Sequence, residues 1–416
     1  MAAIDEIITY GLLFTALYFE VFLLITYFEV KEAEKLLSHK VSPSPSHLPS
    51  VSIIVPVWNE EQTVLKTIYS LLKLDYPRHL LSIFVVDDGS TDKTWNVLQR
   101  FGRNNQITLL QKPNGGKHTA VNFALEKIGS ELVGCLDADS FVHPHALKLM
   151  IPHFDNLNIM AVTPAMKVHN ANGVIQLMQK VEYGWAILLR QIFSHLNAQY
   201  VIPGPFSILR MKVFRQIGFY KHAYNTEDME MALRMQANGY KIGNAPDAIV
   251  YTVTPNTLKK LYKQRLRWTY GFLRNTLDYK HLFFRPQYGH LGMIILPTAS
   301  VSLFSLLYVI GKVVVDYANL IWNKFVEFRT IGWNFAVDWK NYLDWFYFDT
   351  NVIAFLAFIA LFGTITLLLI SRKMSEGHIR PGRDLVYFLL FYSFIAPIWI
   401  ARAVYNVIFA RKTTWR

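Results

Sequence analysis

The chain has 416 residues, 52% of them hydrophobic, 15% aromatic and only 17% charged, with a formal net charge of +12. That is too apolar for an ordinary soluble domain and too patterned for a disordered chain, and it fits a membrane enzyme. Positive charge gathers between residues 256 and 290, where eight Lys/Arg face one Asp. Such a stripe suits anionic lipid or a phosphorylated substrate. Nucleic acid is set aside, because the stripe runs straight into an apolar segment with no nucleic-acid motif beside it.

From the N-terminus, Ile7 to Phe28 is an apolar run broken only by Glu20 and long enough to cross a bilayer. Asp5 and Glu6 precede it and no small-residue cleavage site follows, so it reads as an anchor and not a signal peptide. Lys31, Lys35 and Lys40 come next, which by the positive-inside rule puts the N-terminus outside and the long middle segment in the cytoplasm. The expected divisions begin with an anchor over 1–30 and a linker over 31–50.

At Val51 the pattern changes. Val51 to Pro56 reads as a short buried strand, Glu60 to Leu72 has helical spacing, and Leu81 to Val86 is a second strand ending in Asp87-Asp88-Gly89-Ser90. A third strand, Leu132 to Leu136, ends in Asp137-Ala138-Asp139-Ser140. Strand, helix and strand at this spacing predict a parallel α/β sheet, whose ligands bind beyond the carboxyl ends of the strands. Two strand ends thus deliver acids to one rim. Asp137 and Asp139, alternate residues on an extended segment, can reach one hard divalent cation that shares substrate phosphates; the plainer reading is a capping aspartate with a solvated neighbour. Asn114-Gly115-Gly116-Lys117 lacks the length and the Ser/Thr of a P-loop. It is either a turn or a place where backbone N–H groups approach a diphosphate with Lys117 as a point charge. Cys135, the one cysteine, excludes an internal disulfide, and its apolar neighbours predict a buried thiol.

Farther on, Thr226-Glu227-Asp228 opens a helical pattern. Thr226 is a candidate N-cap, and a carboxylate at a helix start stays available as a general base. Gln264-Arg265-Leu266-Arg267-Trp268 then sets an amide, two guanidinium groups and an indole just before a span. Taken alone this is ordinarily an interface anchor, yet an indole face also stacks on a pyranose and a guanidinium forks onto phosphate. Further spans are expected at Leu291 to Val315, Asn351 to Ile370, and Leu385 to about Ala410, the last interrupted by Pro397 and Arg402. Ser371 to Asp384, rich in Arg and Lys, belongs to the cytoplasmic side. Asp316 to Asp349, with Trp322, Trp333, Trp339 and Trp345, reads as an interfacial amphipathic helix or as an external loop. Arg411, Lys412 and Arg416 would fall outside in a four-span count, so the final segment is kinked at Pro397 or only partly inserted.

In this order, over Val51 to about Arg274, these motifs resemble those of the membrane-bound family 2 glycosyltransferases. That group includes the cellulose, hyaluronan, chitin and poly-N-acetylglucosamine synthases. The resemblance implies a polytopic α-helical membrane protein with an α/β GT-A domain, its mixed sheet mainly parallel, inserted between transmembrane helices. It places that domain at 51–255, interface helices with the Gln-x-x-Arg-Trp motif at 256–290, about three spans within 291–410 and a basic tail at 411–416. It implies Asp87 as a nucleotide contact, with Asp88 beside it and Pro56, Asn59 and Glu60 on the uracil side. Asp139 would hold Mg²⁺ or Mn²⁺ with Asp137 behind it, and Asp228 would be the general base. Arg267 would hold the diphosphate, and Trp268 would stack on the acceptor sugar. Lys117 and Gly204 would be secondary contacts, with Glu227 and Gln264 on the acceptor side.

Val201 to Phe206 stands where cellulose synthases carry Cys-Gly-Thr, and it has neither Cys nor Thr. Cellulose is therefore disfavoured. No regulatory domain is expected after the last span, and Val181-Glu182-Tyr183 to Arg190 sits closer to the poly-N-acetylglucosamine enzymes. The expected activity is inverting transfer from a UDP-sugar, best UDP-N-acetylglucosamine, to a growing β-linked polysaccharide carried across the plasma membrane. Transfer of one sugar to a lipid is the alternative. Partners are the donor, the polysaccharide, the bilayer and, for export, an accessory protein.

Overall fold

The computed structural model describes residues 2–38, 48–331 and 352–409. Lys40, Trp333, Trp339, Trp345, Asp349 and the tail at 411–416 lie outside them. The described residues fall into two units, one from residues 2–25, 297–331 and 352–367, the other from 26–38, 48–296 and 368–409.

The first unit is helical. α1 (Ala2–Ser38) begins in it. Glu20, the acid in its long apolar run, accepts a 2.5 Å hydrogen bond from Thr364, beside Gly363, where any side chain would collide with the carboxylate. An acid in an apolar span needs such a partner. Asp5 near the start of α1 likewise takes bonds from Tyr308 and Lys312.

The second unit holds an eight-stranded sheet, ordered β3-β2-β1-β4-β7-β6-β8-β5. In chain order its elements are β1 (Val51–Val57), α2 (Val64–Leu72), β2 (Leu81–Asp87), α3 (Thr94–Leu98), β3 (Ile107–Gln111), α4 (Lys117–Leu125), β4 (Leu132–Cys135) and β5 (Ser140–Val142). There follow α5 (Ala146–Met150), β6 (Ile159–Val168), α6 (Val174–His195), β7 (Ile208–Arg210), α7 (Met211–Ile217), α8 (Glu227–Ala237), β8 (Lys241–Thr252) and α9 (Leu258–Asp278). The pairs β1–β2, β1–β4, β2–β3 and β6–β8 are parallel, whereas β7 and β5 pair antiparallel. The fold is therefore a GT-A-like mixed sheet, mainly parallel, accompanied by helices long enough to span a membrane.

Every residue of β1 is buried, as expected of a strand covered on both faces. Alternation sorts its side chains: Ile53 and Val55 pack with Ile68, Leu71 and Leu147 on one face, and Ile54 packs with Val121, Phe214 and Met231 on the other. Burial of these two layers supplies the main driving force. Because β1, β2 and β4 run parallel, their carboxyl ends share one rim, with Val57 opposite Asp87.

Four helices are long and apolar enough to cross a membrane: Ile4–Leu36, Leu291–Thr330, Val352–Glu376 and Arg383–Ile408. α10 (Leu296–Ile331) does not stop near Val315 as the hydropathy suggested. No Gly or Pro lies between Lys312 and Ile331, so the described part of the Trp322 segment continues the helix. The last span runs through Pro397, and a widened π-helical turn at Phe388–Tyr392 stops just before Ser393, whose carbonyl the proline cannot pair.

Candidate active site

The rim is built from strand ends. Asp87, fully buried as the last residue of β2, accepts from Ser90 N at 3.2 Å and Gln111 Nε2 at 3.0 Å, so it fixes the turn that follows. Asp88 accepts from Lys112 Nζ at 2.7 Å, Gly115 N at 3.1 Å and Gly116 N at 2.8 Å. Its carboxylate therefore holds the Asn114–Lys117 turn and presents no open face to a ligand. Asn59 lies beyond β1, which contains Pro56, in a left-handed conformation (φ 54°) that asparagine tolerates. It bridges to the Ser90 hydroxyl at 2.9 Å and the Thr91 amide at 2.8 Å, and Glu60 N donates to Thr94 Oγ1 at 2.9 Å.

Next to this rim, Lys117 begins α4 and reaches Asp137 Oδ1 at 2.5 Å and Glu227 Oε1 at 3.5 Å. Burial pushes the ammonium's pKa down, but the carboxylates of Asp137 and Glu227 outweigh it and hold the pKa well above the usual lysine range. Gly204 makes the approach possible, since a Cβ there would stand 2.7 Å from Lys117 Nζ. Lys117, Gly204, Glu227 and Asp228 line one cleft, floored by Cys135. The Cys135 thiol is buried, as its apolar neighbours predicted, and is pushed up to about 12 by desolvation.

Two carboxyls on this surface are reluctant acids. Burial, then the charges of Asp137 and Glu60, push Asp139 up to about 7. Burial, then Glu227, push Asp228 up to about 6, against the opposing effects of Lys117, the Met229 amide and Arg267. Among the described residues no three His, Cys, Asp or Glu side chains converge as a ready-made metal cage. Asp137, paired through one oxygen with Lys117, and Asp139, which among the described residues has only the Ser140 hydroxyl on its carboxylate, nevertheless offer hard carboxylate oxygens. That donor set fits Mg²⁺ or Mn²⁺ completing its shell from water and substrate phosphate.

α9 closes the site from the other side. Arg267, Gly271 and Asn275 are spaced four apart and so share one helix face. Arg267 acts on Asp228, Gly271 leaves no room for a side chain against Thr226, and Asn275 Nδ2 donates to Thr226 Oγ1 at 2.9 Å. Thr226 is not the side-chain cap the sequence suggested: its hydroxyl donates to Ala223 O at 2.9 Å and is taken up by α9. Ala223, Tyr224 and Asn225 before it all have positive φ, an unfavourable turn clamped where Arg274 packs over Tyr224.

Sequence reasoning passed over Arg265, which looks like one more interfacial cation. In the fold it is 3% exposed, donates to Glu182 Oε2 at 2.5 Å and to Gln264 Oε1 at 2.5 Å, and lies 4.2 Å over the Trp268 ring. One indole face is thus occupied by Arg265, although the residue remains 37% exposed. Only a carboxylate in reach of Glu182's place on α6, far away in sequence, would have marked Arg265 as buried.

Residues 49–271 match the family described as Glycosyltransferase like family 2. Among curated proteins, the poly-beta-1,6-N-acetyl-D-glucosamine synthase of Staphylococcus epidermidis is 29% identical over 250 residues, covering 59% of this chain and 60% of that protein. The Staphylococcus aureus (strain COL) protein of the same name is 27% identical over the same shares. The chain thus matches these relatives over about three fifths of their length. Among solved structures, the mannosyltransferase PcManGT from Pyrobaculum calidifontis, in complex with GDP-Man and Mn²⁺, aligns with TM-score 0.59 and 17% identity. That alignment covers 98% of this chain and 99% of that one, and the likeness is one of fold.

Arg265→Ala takes the guanidinium away from the Glu182 carboxylate and from the Trp268 ring face, so both the α6–α9 link and the packing on the indole are lost. Thermal unfolding in detergent should show a large fall in midpoint for Arg265→Ala and a smaller one for Arg265→Lys. An unchanged midpoint would contradict the anchoring role.

Proposed function

Because the chain belongs to glycosyltransferase-like family 2, we propose that it is an inverting, metal-dependent membrane hexosyltransferase that builds a β-linked polysaccharide from a UDP-sugar. UDP-N-acetylglucosamine is the preferred donor. The observation that carries this reading is the single cleft shared by Lys117, Gly204, Glu227 and Asp228, with α9 and its pentad packed against the same segment. The choice of a polymer and of this sugar draws on the two staphylococcal relatives, over the part of them that this chain matches.

In this reading Asp87, Pro56, Asn59 and Glu60 frame the nucleoside, and Asp88 shapes the turn that faces the diphosphate. Lys117 and Arg267 bring positive charge to the diphosphate. A divalent ion held by Asp139 and Asp137 would neutralise further charge on the departing UDP. Asp228, ionised at neutral pH yet only a little below it in pKa, takes the proton of the acceptor hydroxyl. The acceptor oxygen bonds to C1 as the bond from C1 to the UDP oxygen breaks, so an α-linked donor gives a β-linkage. The free face of Trp268 stacks on the acceptor sugar, near Gln264, Glu227 and Gly204.

Lys31, Lys35 and the basic residues of 371–384 support a catalytic domain on the cytoplasmic side of a multi-pass protein of the plasma membrane. A growing chain would then pass outward along the spans, with or without an accessory export protein.

Asp228→Asn should lower turnover by about 10²- to 10⁴-fold while UDP affinity changes little. Wild-type turnover should rise with pH through about 6 and level off above it, since protonated Asp228 cannot act as a base. A variant with near-normal turnover, or no acid limb when chemistry limits the rate, would remove Asp228 from that role.

UDP release should cease after exhaustive chelation and return with Mn²⁺ or Mg²⁺. Full turnover without a divalent ion would remove the Asp137 and Asp139 assignment.

A further inference from the structure

A second cavity, of about 790 Å³, shares no lining residue with the cleft of Lys117 and Asp228. Its walls come from α2, β5, the end of β6, α6, β8 and the last turn of the helix Val352–Glu376. Lys66, Lys167 and Lys180 all face it, and the one carboxylate in its lining, Glu376, is bound to Lys180 at 2.7 Å. Lys66 and Lys167 have no acid within ion-pair distance among the described residues. Lys66 instead donates to His169 Nε2 at 2.8 Å and lies 4.1 Å over the Phe141 ring. His169, as the acceptor, brings no offsetting negative charge. Two ammonium groups therefore confront an open volume with nothing anionic to balance them.

The Phe141 ring is not open to stack on a sugar. Phe141 is covered by Lys66 on its face and met edge-on by His169 at 5.1 Å, and His169 in turn meets Tyr251 at 6.1 Å. What the cavity presents to a ligand is positive charge and hydrogen-bond donors. Its position limits where the ligand comes from. Glu376 ends a helix long and apolar enough to span a bilayer, so this wall lies where a span meets water. Headgroup phosphates occupy that depth, and ammonium groups are attracted to them.

We infer that this cavity binds an anionic phosphate group at the membrane surface, carried by a phospholipid headgroup or by a soluble phosphate. None of its lining residues belongs to the cleft of Lys117 and Asp228. Binding there would tie the lipid surface to α6, whose Glu182 holds Arg265, and so to the pentad helix.

The test uses the full chain in neutral detergent, titrated with short-chain phosphatidic acid, short-chain phosphatidylcholine and inorganic phosphate and followed by calorimetry. Phosphatidic acid should bind at least about tenfold tighter than phosphatidylcholine. Lys66→Gln/Lys167→Gln should lose that preference with an unchanged unfolding midpoint. Lys148→Gln, whose ammonium pairs with Asp75 at 2.9 Å outside the cavity lining, should keep it. Competition by inorganic phosphate at comparable concentration, lost in the same double variant, would assign the site to a soluble anion. Lack of preference in the wild type, or a preference that survives in the double variant, would overturn the inference.

Discussion

The site depends on one ammonium group shared by two carboxylates. Lys117 lies between Asp137, just past β4, and Glu227, at the start of α8. Without it, Asp137, Asp139, Glu227 and Asp228 would bring four acids onto one surface, and Asp139 and Asp228 already hold their protons more tightly than exposed carboxyls do. Like charges so placed repel strongly when partly removed from water. Lys117 offsets part of that repulsion because α4 starts at the rim and Gly204 leaves space for its ammonium. The same balance leaves Asp228 poised near neutrality, the range in which a carboxylate is both ionised and basic enough to accept a proton.

A second constraint joins the acids to the pentad. α9 presents Arg267, Gly271 and Asn275 along one face, and the Thr226 turn is pressed into that face. Its left-handed residues at 223–225 are unfavourable by themselves and persist because packing over-determines them. Arg265 anchors α9 to α6 through Glu182, and its guanidinium covers one face of Trp268. The position of Asp228 and the orientation of the indole are therefore set by one helix.

The parallel core was legible in the chain because β1, β2 and β4 are short apolar runs, two of which, β2 and β4, end in acids. The family and its GT-A fold could be read from the order of four motifs, although each had a plainer reading alone. The antiparallel pairing of β7 and β5 was not legible, since both are only three residues long and carry no alternation worth reading. Arg265 was missed because its burial comes from Glu182, a residue on another helix that local pattern cannot connect to it. Thr226 looked like a cap because the left-handed turn at 223–225, which brings Ala223 O to its hydroxyl, and the donor Asn275 on α9 are not marked in the local pattern. α10 outran its hydropathic segment because helix continuity depends on backbone breakers as well as on apolarity.

The most direct test of the account is the size of the product made by the purified chain in lipid when UDP-N-acetylglucosamine is the donor. A processive enzyme with Asp228 and Trp268 at one acceptor end should yield long, water-soluble β-linked chains while UDP is released. A product of one added sugar, extractable into organic solvent, would contradict the polymerase reading and assign the same site to a lipid acceptor.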